Sequence, residues 1–178
     1  GRVLLIAAAI GAPVSLAAFG FLVAVHELQH GLWETWPRSL FDDEVPWWWP
    51  LPLLVLAGAL VGLIITRLPG RGGHVPAEGT TFGITPPREL PGVLLAAAAS
   101  LSLGAVIGPE APLIAAGSGL AVLFAAMVRI PNRERALVIV AASGGAAATA
   151  AIFGNPLVAA VLLLEAVSLA GPMMVALM

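Results

Sequence analysis

The sequence predicts an all-α integral membrane protein whose helices are broken and in part re-entrant. Three observations predict it. Of the 178 residues, 60% are hydrophobic and only 10% charged, and the mean hydropathy is +1.01, outside the range of soluble globular domains. Apolar runs recur near 3–25, 50–68, 90–107, 110–128, 136–153 and 156–178, and a bilayer core is crossed by about 20 apolar residues in a helix. Glycine and proline interrupt these runs as well as flanking them. Such interruptions free backbone groups that membrane proteins tolerate only against protein or a water-filled cavity.

The first run starts at Val3 and reaches about Gly31. It is too long for a signal peptide and lacks the small-residue cleavage pattern, so it reads as a retained helix. The polar stretch that follows sets Glu34, Asp42, Asp43 and Glu44 against Arg38. After the second run, Leu51 to Ile65, come Arg67, Arg71 and Arg88. The excess of arginine predicts a cytoplasmic loop there and an outer acidic loop, and Arg2 agrees. Trp33, Trp36 and Trp47-Trp48-Trp49 are then expected as an outer interfacial belt.

From Pro69 to Pro91 the chain is too polar and too broken to span, and is expected to be re-entrant or interfacial. Leu90 to Ile107 and Glu110 to Val128 are joined only by Gly108-Pro109, which predicts a bent pair of helices of the kind found in transporters and channels. The pairs Gly58 and Gly62, Gly104 and Gly108, and Gly144 and Gly145 permit close helix contact, and packing is the expected reason for the first. Phe153-Gly154-Asn155-Pro156 ends one helix and begins another that runs to Glu165. The chain begins without Met and ends inside an apolar run, so residues 1–178 are expected to be one multi-pass region of a longer protein.

Composition excludes several chemistries. With no Cys there are no disulfides, thiolates or thiolate metal sites. All eight basic residues are Arg and the net charge is -2, which describes loops rather than a nucleic-acid surface. No cofactor is expected.

Glu110 is the only charge between Leu90 and Val128. A carboxylate at the bilayer centre costs about 2.5 to 3.5 kcal/mol on insertion scales, which makes a lone one a candidate functional group. Pro109 and Pro112 suit the first turn of a new helix. A helix start offers unpaired N–H groups and a positive dipole end, an anion site without a basic side chain. The tethered carboxylate can occupy that site and leave when an anion competes or a proton neutralises it. The plain alternative is a glutamate that caps its own helix or pairs with a distant Arg.

Two other stretches are candidates. Gly70-Arg71-Gly72-Gly73-His74-Val75-Pro76 is either an anion nest or a turn. Glu165 is either an interfacial acid or, with Phe153, part of a polar pathway. A competing reading comes from His26-Glu27-Leu28-Gln29-His30, a formal H-E-x-x-H. On a helix it puts two imidazoles on one face for zinc, with Glu27 as general base of an intramembrane metalloprotease. That enzyme needs a third ligand, whereas Asp42 and Asp43 lie in the nearby acidic loop and Asn155-Pro156 has no acid after it. Coincidence is the preferred explanation.

The order Gly72-Gly73-His74-Val75-Pro76, Gly108-Pro109-Glu110-Ala111-Pro112 and Ala151 to Leu157 leading to Glu165 resembles the first inverted repeat of the CLC chloride channels and chloride/proton antiporters. The family patterns are Gly-Ser-Gly-Ile-Pro, Gly-Arg-Glu-Gly-Pro and Phe-Asn-Ala-Pro-Leu followed by a Glu-Glu pair. The resemblance implies a CLC-like fold of tilted, broken and re-entrant helices, chloride or another small anion as permeant species, protons as a second one in the antiporters, and a homodimer in the inner membrane of a prokaryote. It assigns the external gate to Glu110 and the anion path to Gly72, Gly73, His74, Val75, Pro76, Gly108, Pro109, Ala111 and Pro112.

The departures matter. Gly73 falls where many members have an anion-binding serine, and His74 replaces a glycine. Pro109 stands for the family's Arg, and Ala111 for its Gly. Glu165 matches the first acid of the pair and Ala166 replaces the second, the inner proton acceptor. A passive channel, or an exchanger with another proton path, is therefore expected. The family's second repeat, with its own helix start and a tyrosine ligand, is absent from this chain, which has no Tyr.

Overall fold

A computed structural model describes residues 2–42, 44–70, 84–106, 108–127 and 133–162, with side chains described outside 2–8 and 133–136. Among the described residues all regular structure is helical. Helix α1 (Arg2–His30) continues through a π-helical turn (Gly31–Thr35) into α2 (Trp36–Leu40). Then come α3 (Pro50–Arg67), a 3-10 turn (Pro87–Glu89), α4 (Leu90–Ser102), α5 (Glu110–Met127) and α6 (Arg133–Phe153). Helical structure resumes at Pro156.

Three stretches, Ala9–Leu40, Pro50–Arg67 and Glu110–Met127, are long and apolar enough to cross a membrane, so this is a membrane protein. Leu137–Phe153 is apolar but shorter. With 13 residues, α4 is about 20 Å long and falls short of the roughly 30 Å hydrocarbon core.

The first helix does not stop near Gly31 as its polarity suggested. Glu34, Thr35, Arg38 and Ser39 are all exposed while Pro37 is buried, so the polar residues sit on one face of a helix that continues. The wide turn, closed by the Trp36 N–H donating to the Gly31 carbonyl, comes just before Pro37, whose ring would press on the carbonyl four residues back in a regular α-helix.

Two packing centres position the site. Val14 and Ala18 of α1, Leu113, Ala121 and Ala125 of α5, and Val140 and Ala148 of α6 form one buried cluster. Here α5 and α6 run antiparallel and cross at Gly117 and Gly144. A β-carbon at either glycine would overlap the other's carbonyl oxygen, and Ala121 and Ala148 extend the small-residue contact one turn along each helix. The second centre joins Leu53 and Ala57 of α3 to Leu103, with Leu32, Trp33 and Trp49 packed around them. Helix α3 runs antiparallel to α4, and at its far end Gly92 makes room for the Pro69 carbonyl.

Gly58 and Gly62 have no neighbour within 4 Å, so the packing expected of that pair is absent among the described residues. Helix α3 meets α4 along its Leu53 and Ala57 edge. Much of its remaining surface, including Leu54, Val55, Leu56 and Leu63, is exposed, as a helix solvated by lipid would be.

The tryptophans divide into two groups. Trp36, Trp47 and Trp48 are exposed, as a belt requires. Trp33 and Trp49 are half-buried and donate their indole N–H groups to the Ser102 carbonyl (3.0 Å) and the Leu32 carbonyl (3.0 Å). They tie helix ends together, because a buried indole N–H needs an acceptor.

Candidate anion site at the α4–α5 break

Helix α4 ends in a Schellman arrangement. Gly104 has φ +98, the Ala105 N–H donates to the Ser100 carbonyl (2.9 Å) and the Gly104 N–H to the Leu101 carbonyl (3.3 Å). Two side chains, Gln29 of α1 and Trp33 of the π-helical turn, finish the cap. Gln29 Nε2 donates to the Leu101 carbonyl at 2.9 Å and Trp33 Nε1 to the Ser102 carbonyl at 3.0 Å. The Trp33 ring fills the space that a side chain on Gly104 would need. These donors occupy carbonyls that would otherwise present a partial negative charge at the break.

Helix α5 starts at Glu110, as the sequence reading expected, with the Pro109 carbonyl accepting the first helical bond from the Leu113 N–H (3.0 Å). Four backbone positions at a helix start have no intrahelical acceptor. Here they are Pro109, Glu110, Ala111 and Pro112, and the two prolines carry no N–H. The first turn therefore offers the amides of Glu110 and Ala111, preceded by that of Gly108, while Pro109 and Pro112 supply shape without donors.

The Glu110 side chain folds back over Gly108: a β-carbon built there would overlap the carboxylate. Among the described residues the ion pair present is His30 with Glu34, and no Arg pairs with Glu110. The expectation of a buried acid is not met within this chain, for Gly108, Glu110 and Ala111 are all exposed. The reason is positional. The first side chain of α5 to enter the α1/α5/α6 core is Leu113, one turn further on, so the helix start stands clear of that core.

Ser118 is buried in the middle of α5 and accepts the Thr85 N–H at 3.2 Å, fixing the segment before α4 onto α5. Sequence reasoning gave Ser118 no role, met Gln29 only as a spacer of the H-E-x-x-H motif, and placed Trp33 in the interfacial belt rather than at the cap of α4. A hydroxyl among glycines and a polar residue on an apolar helix were the available signals.

Phe153 ends α6 and is exposed. Gly154 has φ +61, and the Asn155 Oδ1 accepts the Leu157 N–H at 2.9 Å, an Asx cap that starts the next helix. The break is where the sequence placed it. Gly72, Gly73, His74, Val75 and Pro76, together with Arg71, Asp43, Glu165 and Ala166, lie outside the described residues.

His26, Glu27 and His30 are exposed on the last turns of α1. His26 and His30 line an open recess of about 390 Å³ with Gln29, Trp33, Glu34 and Gly104. Among the described residues no three His, Asp or Glu side chains converge on a metal position, so the metalloprotease reading finds no third ligand there. Gln29, within the motif, is engaged in capping α4.

The comparisons agree with this architecture. The chain is 32% identical over 159 residues to YfeO of Escherichia fergusonii, named as an ion-transport protein, and 33% identical to YfeO of Escherichia coli O6:H1. Each alignment covers 88% of this chain and 37% of the relative, so the chain spans well under half the length of the curated relatives it matches. No solved structure matches it. Residues 57–177 match the family described as voltage gated chloride channel. The resemblance carried by the three motifs is thus confirmed, and the chain belongs to the voltage-gated chloride channel family.

Proposed function

We propose that this chain forms part of an anion pathway of the CLC type, gated by Glu110 at the start of α5. The observation that carries the reading is the fold-back of the Glu110 carboxylate over Gly108 at a helix start with no basic partner among the described residues. A negative group already rests beside amides that the start of α5 leaves without an intrahelical acceptor. A permeant anion needs the same donors and the same dipole end, so it and the carboxylate compete. Opening is the side chain leaving, driven by anion occupancy or by protonation.

Helix α4 contributes by holding back its own negative end. Its terminal carbonyls are taken by Gln29, Trp33, Gly104 and Ala105, which leaves the positive end of α5 to dominate the break. The reading carries with it the family's assignment of Gly72, Gly73, His74, Val75 and Pro76 to the anion path and of Phe153 and Glu165 to a further pathway. The family-level partners are chloride or a related anion, the bilayer of a bacterial inner membrane and a second copy of the full-length protein. Ala166 in place of an acid favours passive conduction over proton exchange.

The test is chloride efflux from liposomes containing the full-length protein. Glu110→Gln is expected to change the rate or its pH dependence. If neither changes, the gate assignment fails. A chloride gradient that drives no proton movement would support a channel, and stoichiometric proton flux would overturn that part of the reading.

A further inference from the structure

We propose that the groove between α3 and α4 seats an anionic glycerophospholipid, with its acyl chains along exposed leucines and its phosphate between Arg67 and Arg88. The groove mouth lies at the start of α4, the opposite end from the candidate anion site, and the proposal does not depend on that site.

The fold brings the two arginines to one end of a hairpin. Helix α3 ends at Arg67 and the turn before α4 holds Arg88; between them the Pro69 carbonyl rests on Gly92 and Glu89 rests on Gly70. At the other end of the seam, Leu53 and Ala57 of α3 meet Leu103. These contacts fix which edge each helix turns toward the other. At about 100° per residue, Leu56, Leu63 and Arg67 stand roughly 60–100° round α3 from its Leu53 and Ala57 edge. Arg88, Pro91 and Leu95 stand roughly 50–110° round α4 from its Gly92 and Leu103 edge, in the same rotational sense. Offsets of like sense on facing antiparallel helices fall on the same side, so the two stripes flank one groove.

The lining matches a lipid in length and in charge. Leu56, Leu63 and Leu95 are exposed by 46%, 51% and 52%, too much for residues packed within this chain. From Arg67, Leu63 and Leu56 lie about 6 Å and 17 Å along the axis, which spans the roughly 15 Å of one leaflet's hydrocarbon. Arg67 and Arg88 are both exposed, and neither makes an ion pair among the described residues. Glu89 stands beside them without pairing to either and makes no side-chain bond to cap α4, so the mouth keeps a net positive charge next to the positive end of the α4 dipole. Guanidinium groups take phosphate through two parallel hydrogen bonds. The arginine excess marks this end as cytoplasmic, the leaflet whose anionic headgroups basic sites between membrane helices recognise. Leucines alone would suit a protein segment equally well; two unpaired guanidinium groups at the end of an apolar groove select a phosphate carried on acyl chains. A choline or ammonium beside the phosphate would be repelled, so the site prefers a phosphatidylglycerol-like headgroup.

The experiment is native mass spectrometry of the full-length protein released from nanodiscs of equal parts phosphatidylglycerol and phosphatidylcholine. One retained phosphatidylglycerol per chain is expected. Retention should fall about fivefold in Arg67→Gln and again in Arg88→Gln, and stay unchanged in Arg38→Gln, at the other end of the molecule. Equal retention of the two lipids overturns the site, as does undiminished retention in the Arg67→Gln, Arg88→Gln double variant. Displacement of the lipid by excess inorganic phosphate would reassign the arginines to a free anion and overturn the lipid assignment. A measurement without variants reads the same contact: phosphatidylglycerol should raise the melting temperature of the detergent-solubilised protein more than phosphatidylcholine does, and equal shifts overturn the proposal.

Discussion

The carboxylate of Glu110 occupies the volume that a side chain at Gly108 would fill. Gly108 is not among the residues with positive φ, so its backbone does not demand glycine; the folded-back glutamate does. Gly108→Ala should leave the protein folded, because the overlapping atoms are the end of a flexible side chain. It should also displace the carboxylate and shift chloride efflux in the same direction as Glu110→Gln. The double variant should behave like Glu110→Gln alone, and fully additive effects in the efflux assay would contradict the shared volume.

Pro112 removes one donor from the first turn of α5. In Pro112→Ala a third amide joins those of Glu110 and Ala111, and the chloride concentration for half-maximal flux should fall. A single charge-assisted hydrogen bond contributes about 1.5–3 kcal/mol at most, which bounds the gain at roughly tenfold to 150-fold. An unchanged concentration dependence would mean that permeant anions do not visit this turn.

Gly117 and Gly144 sit at the crossing of α5 and α6, with each backbone against the other's carbonyl. Gly117→Val or Gly144→Val should lower the thermal stability of the detergent-solubilised protein by about 1–3 kcal/mol or more, the usual penalty of overpacking. Gly58→Ala is the control. With no atom of the described residues within 4 Å of a β-carbon built there, the helix's own backbone aside, it should be neutral or stabilise by up to about 1 kcal/mol through helix propensity.

Trp33 both fills the space beside Gly104 and donates to the Ser102 carbonyl. Trp33→Phe keeps most of the ring and loses the bond, at a cost of about 0.5–1.5 kcal/mol. Gly104→Ala should cost more, because φ +98 disfavours any β-carbon and the ring stands in its way. Thermal melts of the two variants rank these effects, and the opposite order would remove Trp33 from its role as a clamp.

The order of helices was legible in the chain because the bilayer imposes a length on every apolar run and because Gly-Pro and Asn-Pro act through local backbone geometry. The starts of α5 at Glu110 and of the helix after Phe153 came from that chemistry alone. The end of α1 was not legible. Its polar residues read as a loop, yet they line the exposed face of a helix that passes Pro37 by way of a π-helical turn.

What the sequence by itself determined is a membrane protein of this family with one acid at a helix start, because hydropathy, breaks and motif order are local properties of the chain. Tertiary structure alone decided the rest: which glycines make contacts, that Gln29 and Trp33 cap α4, and that Glu110 bends back over Gly108 while remaining exposed. Each depends on atoms from distant segments or neighbouring turns meeting in space, and Gly58 and Gly117 look alike until a second helix either approaches or does not.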